Sequence, residues 1–289
     1  MIQQIVSAIN HAVTRVLLAA SLATIAASAS FAQIRPDAPP PSPSASGASK
    51  DAANKGDDRK AEEIVQRAVE ALGGRAYLDV HTVVSRGYYT GFRDGVAALP
   101  YTFNDNLVLP DRARTEFRGQ GARGIETHDG DKGWLLDATT RKILDLTPEQ
   151  VKDFRLTLRA SLDNLLRGWW RKEGAQLTYA GRREAGVGLR NEAVRLTYAD
   201  GFTVEFEFGA RDHLPAKALY KKQNKEGEDV EEEDRYAQFL TIGGVLTPFV
   251  VDHYRAGVQS SRANYQTIEF NKPVPDSLFA RPLDAKSLK

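Results

Sequence analysis

The sequence predicts an α+β protein in which an antiparallel sheet of about eleven strands is combined with two substantial helices. Residues 201–208 alternate between apolar and polar side chains, and a period of two is typical of a strand with one buried face. Turn signals separate several further runs of this kind as far as residue 270. Two stretches with helical spacing, near residues 60–72 and 148–169, complete the pattern.

The first 32 residues have the order of an export signal. Arg15 is their only charged residue apart from the amino terminus, an apolar stretch follows from residue 16 to about residue 27, and Ser30-Phe31-Ala32 is a small-x-small cleavage site. The apolar stretch is too short to cross a bilayer. We expect cleavage after Ala32 and a periplasmic product; a retained membrane anchor is the alternative.

Charge and cysteine content restrict the classes of partner. The chain has no cysteine, so it has neither disulfides nor the cysteine that a bacterial lipoprotein precursor requires. The first 32 residues contain one arginine and no acidic residue, so the remainder has 38 basic and 38 acidic side chains. A net charge of zero gives no reason to expect nucleic acid or an anionic membrane as the main partner.

Residues 33–57 are rich in proline, serine, alanine and aspartate. This composition buries too little apolar surface to offset the entropy of ordering, so it predicts a disordered linker. The folded domain is expected at residues 58–282, followed by a short C-terminal tail at 283–289.

The first helix is expected to begin after Asp57 or Asp58, either of which is a suitable N-cap. Apolar residues then recur at helical spacing from Ile64 to Leu72. Gly73-Gly74 is a typical helix stop. Strands are predicted to follow at about 80–92, 99–109, 112–118, 122–128 and 133–137.

The second helix is predicted by a capping box, Thr147-Pro148-Glu149-Gln150, with proline at the first helical position. The apolar positions that follow form one stripe on a helix of about twenty residues; they are Val151, Phe154, Leu158, Leu162, Leu165 and Trp169. Trp170 adjoins the end of this stripe. The tryptophan pair is either a core anchor or an amphipathic pair at a cavity mouth.

No motif indicates a metal site, a cofactor or an enzyme. The histidines that follow the signal, His81, His128, His213 and His253, are too far apart in sequence for a local metal site. Asp129-Gly130-Asp131 lacks the remaining ligands of a calcium loop and is interpreted as a hairpin turn. No nucleophile or phosphate-binding signature is present. The acidic run at 226–234 is interpreted as a solvated hairpin tip, with a docking surface for a basic partner as the alternative.

Four stretches resemble the outer-membrane lipoprotein-sorting and lipoprotein-carrier superfamily, the LolA/LolB-like proteins. They are Lys60–Gly74, Asp129–Trp134, the run from Tyr236 to Pro248, and Asn271–Phe279. The resemblance implies a curved, incompletely closed antiparallel β-barrel, with helices packed in or over its open side and a cavity that holds acyl chains. Because the chain lacks the lipid-attachment cysteine, the resemblance favours a diffusing carrier over an anchored receptor.

From this resemblance we expect a non-catalytic, monomeric carrier or binder of acyl chains of lipoproteins or other lipids, with transient membrane contact and possible envelope-protein partners. The expected cavity and lid residues are apolar side chains of the second helix and of the strand at 202–208: Phe154, Leu158, Leu162, Leu165, Trp169, Trp170, Phe202, Val204, Phe206 and Phe208. The alternative is an envelope interaction or scaffold domain with the same fold and a filled cavity. An outer-membrane barrel is disfavoured, because Arg262 and Glu269 place charges on both strand faces.

Overall fold

The computed structural model describes residues 48–224 and 226–288, with side chains described from residue 58 onward. The predicted signal at 1–32 lies outside the described residues, as does the predicted linker up to residue 47.

Four α-helices and fourteen strands make up the regular structure of the described residues. The helices are α1 (Ala48–Ala71), α2 (Arg75–Leu78), α3 (Pro148–Arg159) and α4 (Leu162–Leu166). The strands are β1 (Thr82–Arg93), β2 (Val96–Ala97), β3 (Tyr101–Val108), β4 (Arg112–Gly119), β5 (Ala122–Asp129), β6 (Lys132–Leu136), β7 (Ile143–Asp145), β8 (Gln176–Glu184), β9 (Arg190–Thr197), β10 (Thr203–Gly209), β11 (Pro215–Gln223), β12 (Asp229–Ile242), β13 (Val245–Arg255) and β14 (Val258–Phe270).

The strands form one antiparallel, curved and unclosed sheet, as the resemblance implies. Their order is β7-β6-β5-β4-β3-β1-β14-β13-β12-β11-β10-β9-β8, and β2 pairs only with β1. The expected number of about eleven strands is too low. Two of the strands that sequence reasoning missed, β2 and β7, have two and three residues, too few for an alternating pattern to show.

The two faces of the sheet have different neighbours. Val194 lies opposite Phe206, which lies opposite Ala218, so these buried residues share one face. Lys60 of α1 pairs with Glu192 on this same face of β9. We call it the inner face, and the opposite side of the sheet the outer face.

Helix α1 is longer than predicted, because it begins at Ala48 rather than near Asp58. Residues 48–57 were expected to belong to the disordered linker, but they continue the helix backbone. Residues 48–55 include three alanines and two lysines, which favour a helix, and Gly56 in its interior costs only about 1 kcal/mol. The predicted stop is confirmed, since α1 ends at Ala71 and is followed by Gly73-Gly74.

The predicted twenty-residue second helix is divided. Its capping box is confirmed: Thr147 accepts a hydrogen bond from the Gln150 amide, and the Gln150 side chain accepts one from the Thr147 amide. Helix α3 nevertheless ends at Arg159, because Ser161 starts a new helix. The Ser161 hydroxyl accepts from the Asn164 amide and donates to the Leu158 carbonyl. After α4, the tryptophan pair belongs to a short 3-10 helix, Trp169–Glu173.

Two apolar clusters stabilise the described residues. The larger one includes the apolar side chains of α1, α3 and the inner face. The smaller one, on the outer face, consists of Ile125, Trp134 and Leu136. Ala285 and Leu288 pack against this smaller cluster, so the segment predicted as a tail contacts β5 and β6.

Candidate functional site

Helix α3 lies across the inner face and contacts strands that are far apart in the sheet. Asp153 forms an ion pair with Lys222 of β11 at 2.8 Å. Phe154 stacks on His128 of β5, with ring centroids 3.8 Å apart and an interplanar angle of 13°. Since β5 and β11 are separated by most of the sheet order, α3 spans the concavity between them.

The C-terminal end of α3 is held by polar contacts at the β9–β10 turn. Arg159 forms ion pairs with Glu173 and Asp200, each at 2.6 Å. Asn164 of α4 donates a hydrogen bond to the Tyr198 hydroxyl at 2.6 Å. One turn earlier in the same helix, Arg155 pairs with Asp131 in the β5–β6 turn. Side chains, rather than backbone hydrogen bonds to strands, therefore attach the described α3 to the sheet.

Nine of the ten expected cavity and lid residues lie in or against the larger apolar cluster. Six are buried within it: Phe154, Leu165, Trp170, Val204, Phe206 and Phe208. Leu158, Leu162 and Phe202 are partly buried and pack against it. Trp169 is partly exposed, with the Arg167 guanidinium 5.7 Å from its ring. Contact between these side chains and a ligand stays a prediction.

Sequence reasoning missed a buried ionic group on the inner face. The His253 ring lies between Asp234, at 2.5 Å from Nδ1, and Glu232, at 2.9 Å from Nε2. Burial lowers the pKa of His253, but the two carboxylates outweigh this effect and raise it to about 9. The interpretation of residues 226–234 as a solvated hairpin tip is therefore wrong for the end of that run. The alternation of strand faces could have predicted the burial of Asp234, because Asp234 and the buried Tyr236 share one strand face.

A second buried polar group centres on Asp105 of β3, which is 0% exposed. Burial raises the pKa of this carboxyl to about 8, although the hydroxyls of Thr115 and Ser85 offset part of the rise. Ser85 Oγ donates a long hydrogen bond to Oδ2 of Asp105, over 3.5 Å. The alternation of strand faces could also have predicted the burial of Asp105, because Asp105 occupies the same strand face as the buried Phe103 and Leu107.

Next to this group, His128 Nε2 lies 2.8 Å from Glu126 Oε1, and both side chains are buried. Residues 126 and 128 are on the inner face, because Glu126 pairs with Thr115 and Thr115 pairs with Asp105. The inner face is thus mainly apolar along β9 to β11, where Glu192 and Lys222 are paired charged residues, and it carries buried polar groups along β12, β13, β1 and β3 to β5.

An open cleft of about 580 Å³ lies elsewhere, between the β5–β6 turn, the start of α3 and residues 279–281. Its walls combine apolar and charged side chains, and Arg281 is paired with Asp145 at 2.6 Å. None of the ten expected cavity and lid residues lines this cleft.

No helix among the described residues is long and apolar enough to span a membrane. The described part of the chain also contains no group of three or more histidine, cysteine, aspartate or glutamate side chains placed to hold a metal ion.

The chain is similar in structure to a DUF1329 family protein from Desulfovibrio piger, with 14% sequence identity and a TM-score of 0.52, over 76% of this chain and 97% of that one. It is also similar to a LolA superfamily protein from Nitrosomonas europaea, with 16% identity and a TM-score of 0.49, over 76% and 97% of the two chains. No family model matches the chain, and no curated protein does. At these identities the likeness concerns the fold alone.

Proposed function

We propose that the chain is a non-catalytic periplasmic binder or carrier of acyl-chain cargo, which enters between α3 and the inner face of the sheet. The observation that carries this proposal is the position of α3. The helix covers the inner face, yet the described contacts that hold it there are side-chain contacts. Such a helix can move away without breaking the strand ladder.

The energetics are compatible with an opening helix. Partly exposed ion pairs such as Asp153–Lys222 contribute only about 0–1 kcal/mol each. Burying an acyl chain of about fifteen methylenes contributes roughly 12 kcal/mol, at about 0.8 kcal/mol per group. An acyl chain that replaces the apolar face of α3 therefore offsets the loss of the contacts that close the interior.

The export signal belongs to the same proposal. Cleavage after Ala32 leaves a chain without a lipid-attachment cysteine, which suits a monomer that diffuses and contacts membranes transiently. Its cargo is the acyl chains of lipoproteins or of other lipids, and envelope proteins are the expected donors or acceptors of that cargo.

The second candidate is an envelope interaction or scaffold domain whose interior is permanently filled. The burial of Phe206 and Phe208, at 0% and 1% exposure, favours it. The two candidates differ in whether α3 moves, which a cross-link between α3 and the sheet tests directly.

Because the chain has no native cysteine, the double substitution Asp153→Cys and Lys222→Cys introduces one defined pair of thiols across the gap between α3 and β11. A short, reducible bis-maleimide then ties α3 to the sheet. We expect the tied protein to lose uptake of a fluorescent fatty acid and to regain it when the linker is reduced.

The untied double variant and each single-cysteine variant treated with the same reagent are the controls. All of these control proteins should bind the fatty acid as the natural sequence does. Equal uptake by tied and untied protein contradicts entry beneath α3, and absence of uptake by the natural sequence itself supports the scaffold.

A further inference from the structure

Four buried side chains of the inner face carry polar atoms without a hydrogen-bond partner. They are Oδ1 of Asp105, the hydroxyls of Thr115 and Tyr265, and Nδ1 of His128. Each of these residues is at most 3% exposed. Buried polar atoms are normally paired, because an unpaired one loses its hydrogen bonds with water and gains nothing in return. Four on one face call for a common explanation.

The four residues form one contiguous patch. Thr115 pairs with Asp105 between β3 and β4, and Glu126, which contacts His128, pairs with Thr115 between β4 and β5. Tyr265 lies against Phe103, two positions from Asp105 on the same face, with ring centroids 5.3 Å apart. We call these four residues the inner polar patch.

One edge of the inner polar patch lies beneath α3. The His128 ring is covered by the Phe154 ring of that helix at a centroid distance of 3.8 Å. Movement of α3 therefore uncovers His128 and opens a way to the rest of the inner polar patch from the apolar part of the inner face. A molecule that enters there meets a hydrocarbon surface and a hydrogen-bonding surface side by side.

The unpaired atoms suit hydroxyl groups better than ionic groups. Hydroxyls of Thr115 and Tyr265 both donate and accept, and whether Nδ1 of His128 donates or accepts depends on its tautomer. A phosphate or carboxylate only accepts, and it would bring a negative charge into a buried site beside Glu126. An ammonium only donates. A hydroxyl does both and brings no charge into a buried site.

We propose that the inner polar patch binds the hydroxyl groups of a neutral, polyhydroxylated head group, such as glycerol or a sugar, on an acyl-chain amphiphile. This inference rests on the proposed function, and it specifies which amphiphiles the inner face selects. The apolar strands β9 to β11 hold the hydrocarbon, and the inner polar patch holds the head.

The test compares two probes of equal chain length, 1-monododecanoylglycerol and dodecanoic acid, by isothermal titration calorimetry with the full chain. Thr115→Val and Tyr265→Phe each remove one hydroxyl with little change of shape. Each is expected to weaken binding of the monoacylglycerol roughly two- to tenfold, the effect of one hydrogen bond, without changing binding of the fatty acid.

Thr127→Val is the matched control. Thr127 is also a fully buried threonine with an unpaired hydroxyl, and it lies in β5 next to β4, but it points to the outer face. We expect this variant to bind both probes as the natural sequence does. Two substituted residues on different strands keep the test available if one variant fails to fold, which circular dichroism reports.

Fatty acid binding with no effect of Thr115→Val or Tyr265→Phe on the monoacylglycerol overturns the inference and leaves the proposed function standing; the inner polar patch then holds water. Equal weakening by Thr127→Val also overturns it, because the effect is then a general loss of stability. If neither probe binds the natural sequence, the proposed function fails, and the inference fails with it.

Discussion

At the scale of single residues, the inner face contains ionisable groups whose burial makes folding depend on pH. His253 is held between two carboxylates, and removing the histidine leaves both buried carboxylates without their shared cation, at a cost of about 3–5 kcal/mol. Asp105 has no cation within its group, so burial keeps its carboxyl protonated at neutral pH. Both groups bind a proton more tightly in the folded chain than in the unfolded chain.

The stability of the protein is therefore expected to fall as the pH rises from about 6.5 to about 9. The pKa of His253 is raised from its ordinary value of 6.5 to about 9, so its stabilising contribution is complete below about 6.5 and is lost as the pH rises through 9. The pKa of Asp105 is raised from 3.8 to about 8, so its contribution is lost between these values. Urea unfolding at pH 6, 7.5 and 9 measures how steeply the free energy of unfolding falls with pH.

Asp105→Asn separates the two contributions. It keeps the shape of the side chain and cannot ionise, so the decline between pH 6 and pH 9 should become shallower. At pH 9, the free energy of unfolding of the variant should exceed that of the natural sequence by on the order of a few kcal/mol. A natural sequence whose free energy of unfolding is constant or rises over this range contradicts the expectation, as does an unchanged slope in Asp105→Asn.

At the scale of elements, the end of α1 is where the helix joins the sheet. The Leu246 amide of β13 donates a hydrogen bond to the Leu72 carbonyl at 3.0 Å, immediately before the two glycines that end the helix. Both glycines have positive φ, 118° at Gly73 and 58° at Gly74. Only Gly73 is also crowded, because a Cβ there would lie 2.3 Å from the Gly244 carbonyl oxygen, whereas nothing lies within 4 Å at Gly74.

Alanine at the two positions should therefore have unequal effects. Gly74→Ala adds only the cost of a backbone conformation that is typical of glycine, with φ 58° and ψ −118°, about 1–3 kcal/mol of unfolding free energy. Gly73→Ala adds a clash with backbone, which moves α1 away from β13 and costs roughly 3 kcal/mol or more. Chemical denaturation of both variants measures the difference, and equal losses would show that α1 does not depend on this close approach.

Helix α3 is also short because the helical conformation is interrupted between it and α4. The apolar stripe continues from Phe154 to Leu165, but Ser161 satisfies backbone groups on both sides of a break. Helix α4 stays with the core through buried Leu165 and Leu166, and α3 is left as a separate twelve-residue unit. The break thus divides a covering helix into a part that is fixed and a part that is held by its side chains.

At the scale of the whole molecule, the sheet brings the first long strand, β1, against the last one, β14, at the centre of the strand order. The ladder and both apolar clusters lie within residues 61–288. We therefore expect a chain that lacks residues 1–47 to fold with an unchanged midpoint of thermal unfolding. Differential scanning calorimetry compares it with the chain that lacks only residues 1–32, and a lower midpoint would show that residues 33–47 contribute to the fold.

Much of the local structure follows from the sequence because it depends on neighbours along the chain. The capping box at Thr147, the stop at Gly73-Gly74 and the alternation at 202–208 each rely on interactions within a few residues, and all are present. The division of the second helix was missed, because a buried serine in an apolar stripe resembles an ordinary helical residue until its two hydrogen bonds are known.

The sequence by itself determined the class of fold, the order of the elements and the apolar side chains of the core. Only the tertiary structure decided which polar residues lie inside and what α3 covers. The physical reason is that charged side chains are usually exposed, so their own chemistry does not predict burial. Asp105, Asp234 and His253 face inward because strand register places them on the inner face. That register is set by contacts between residues distant in sequence, which no local pattern records.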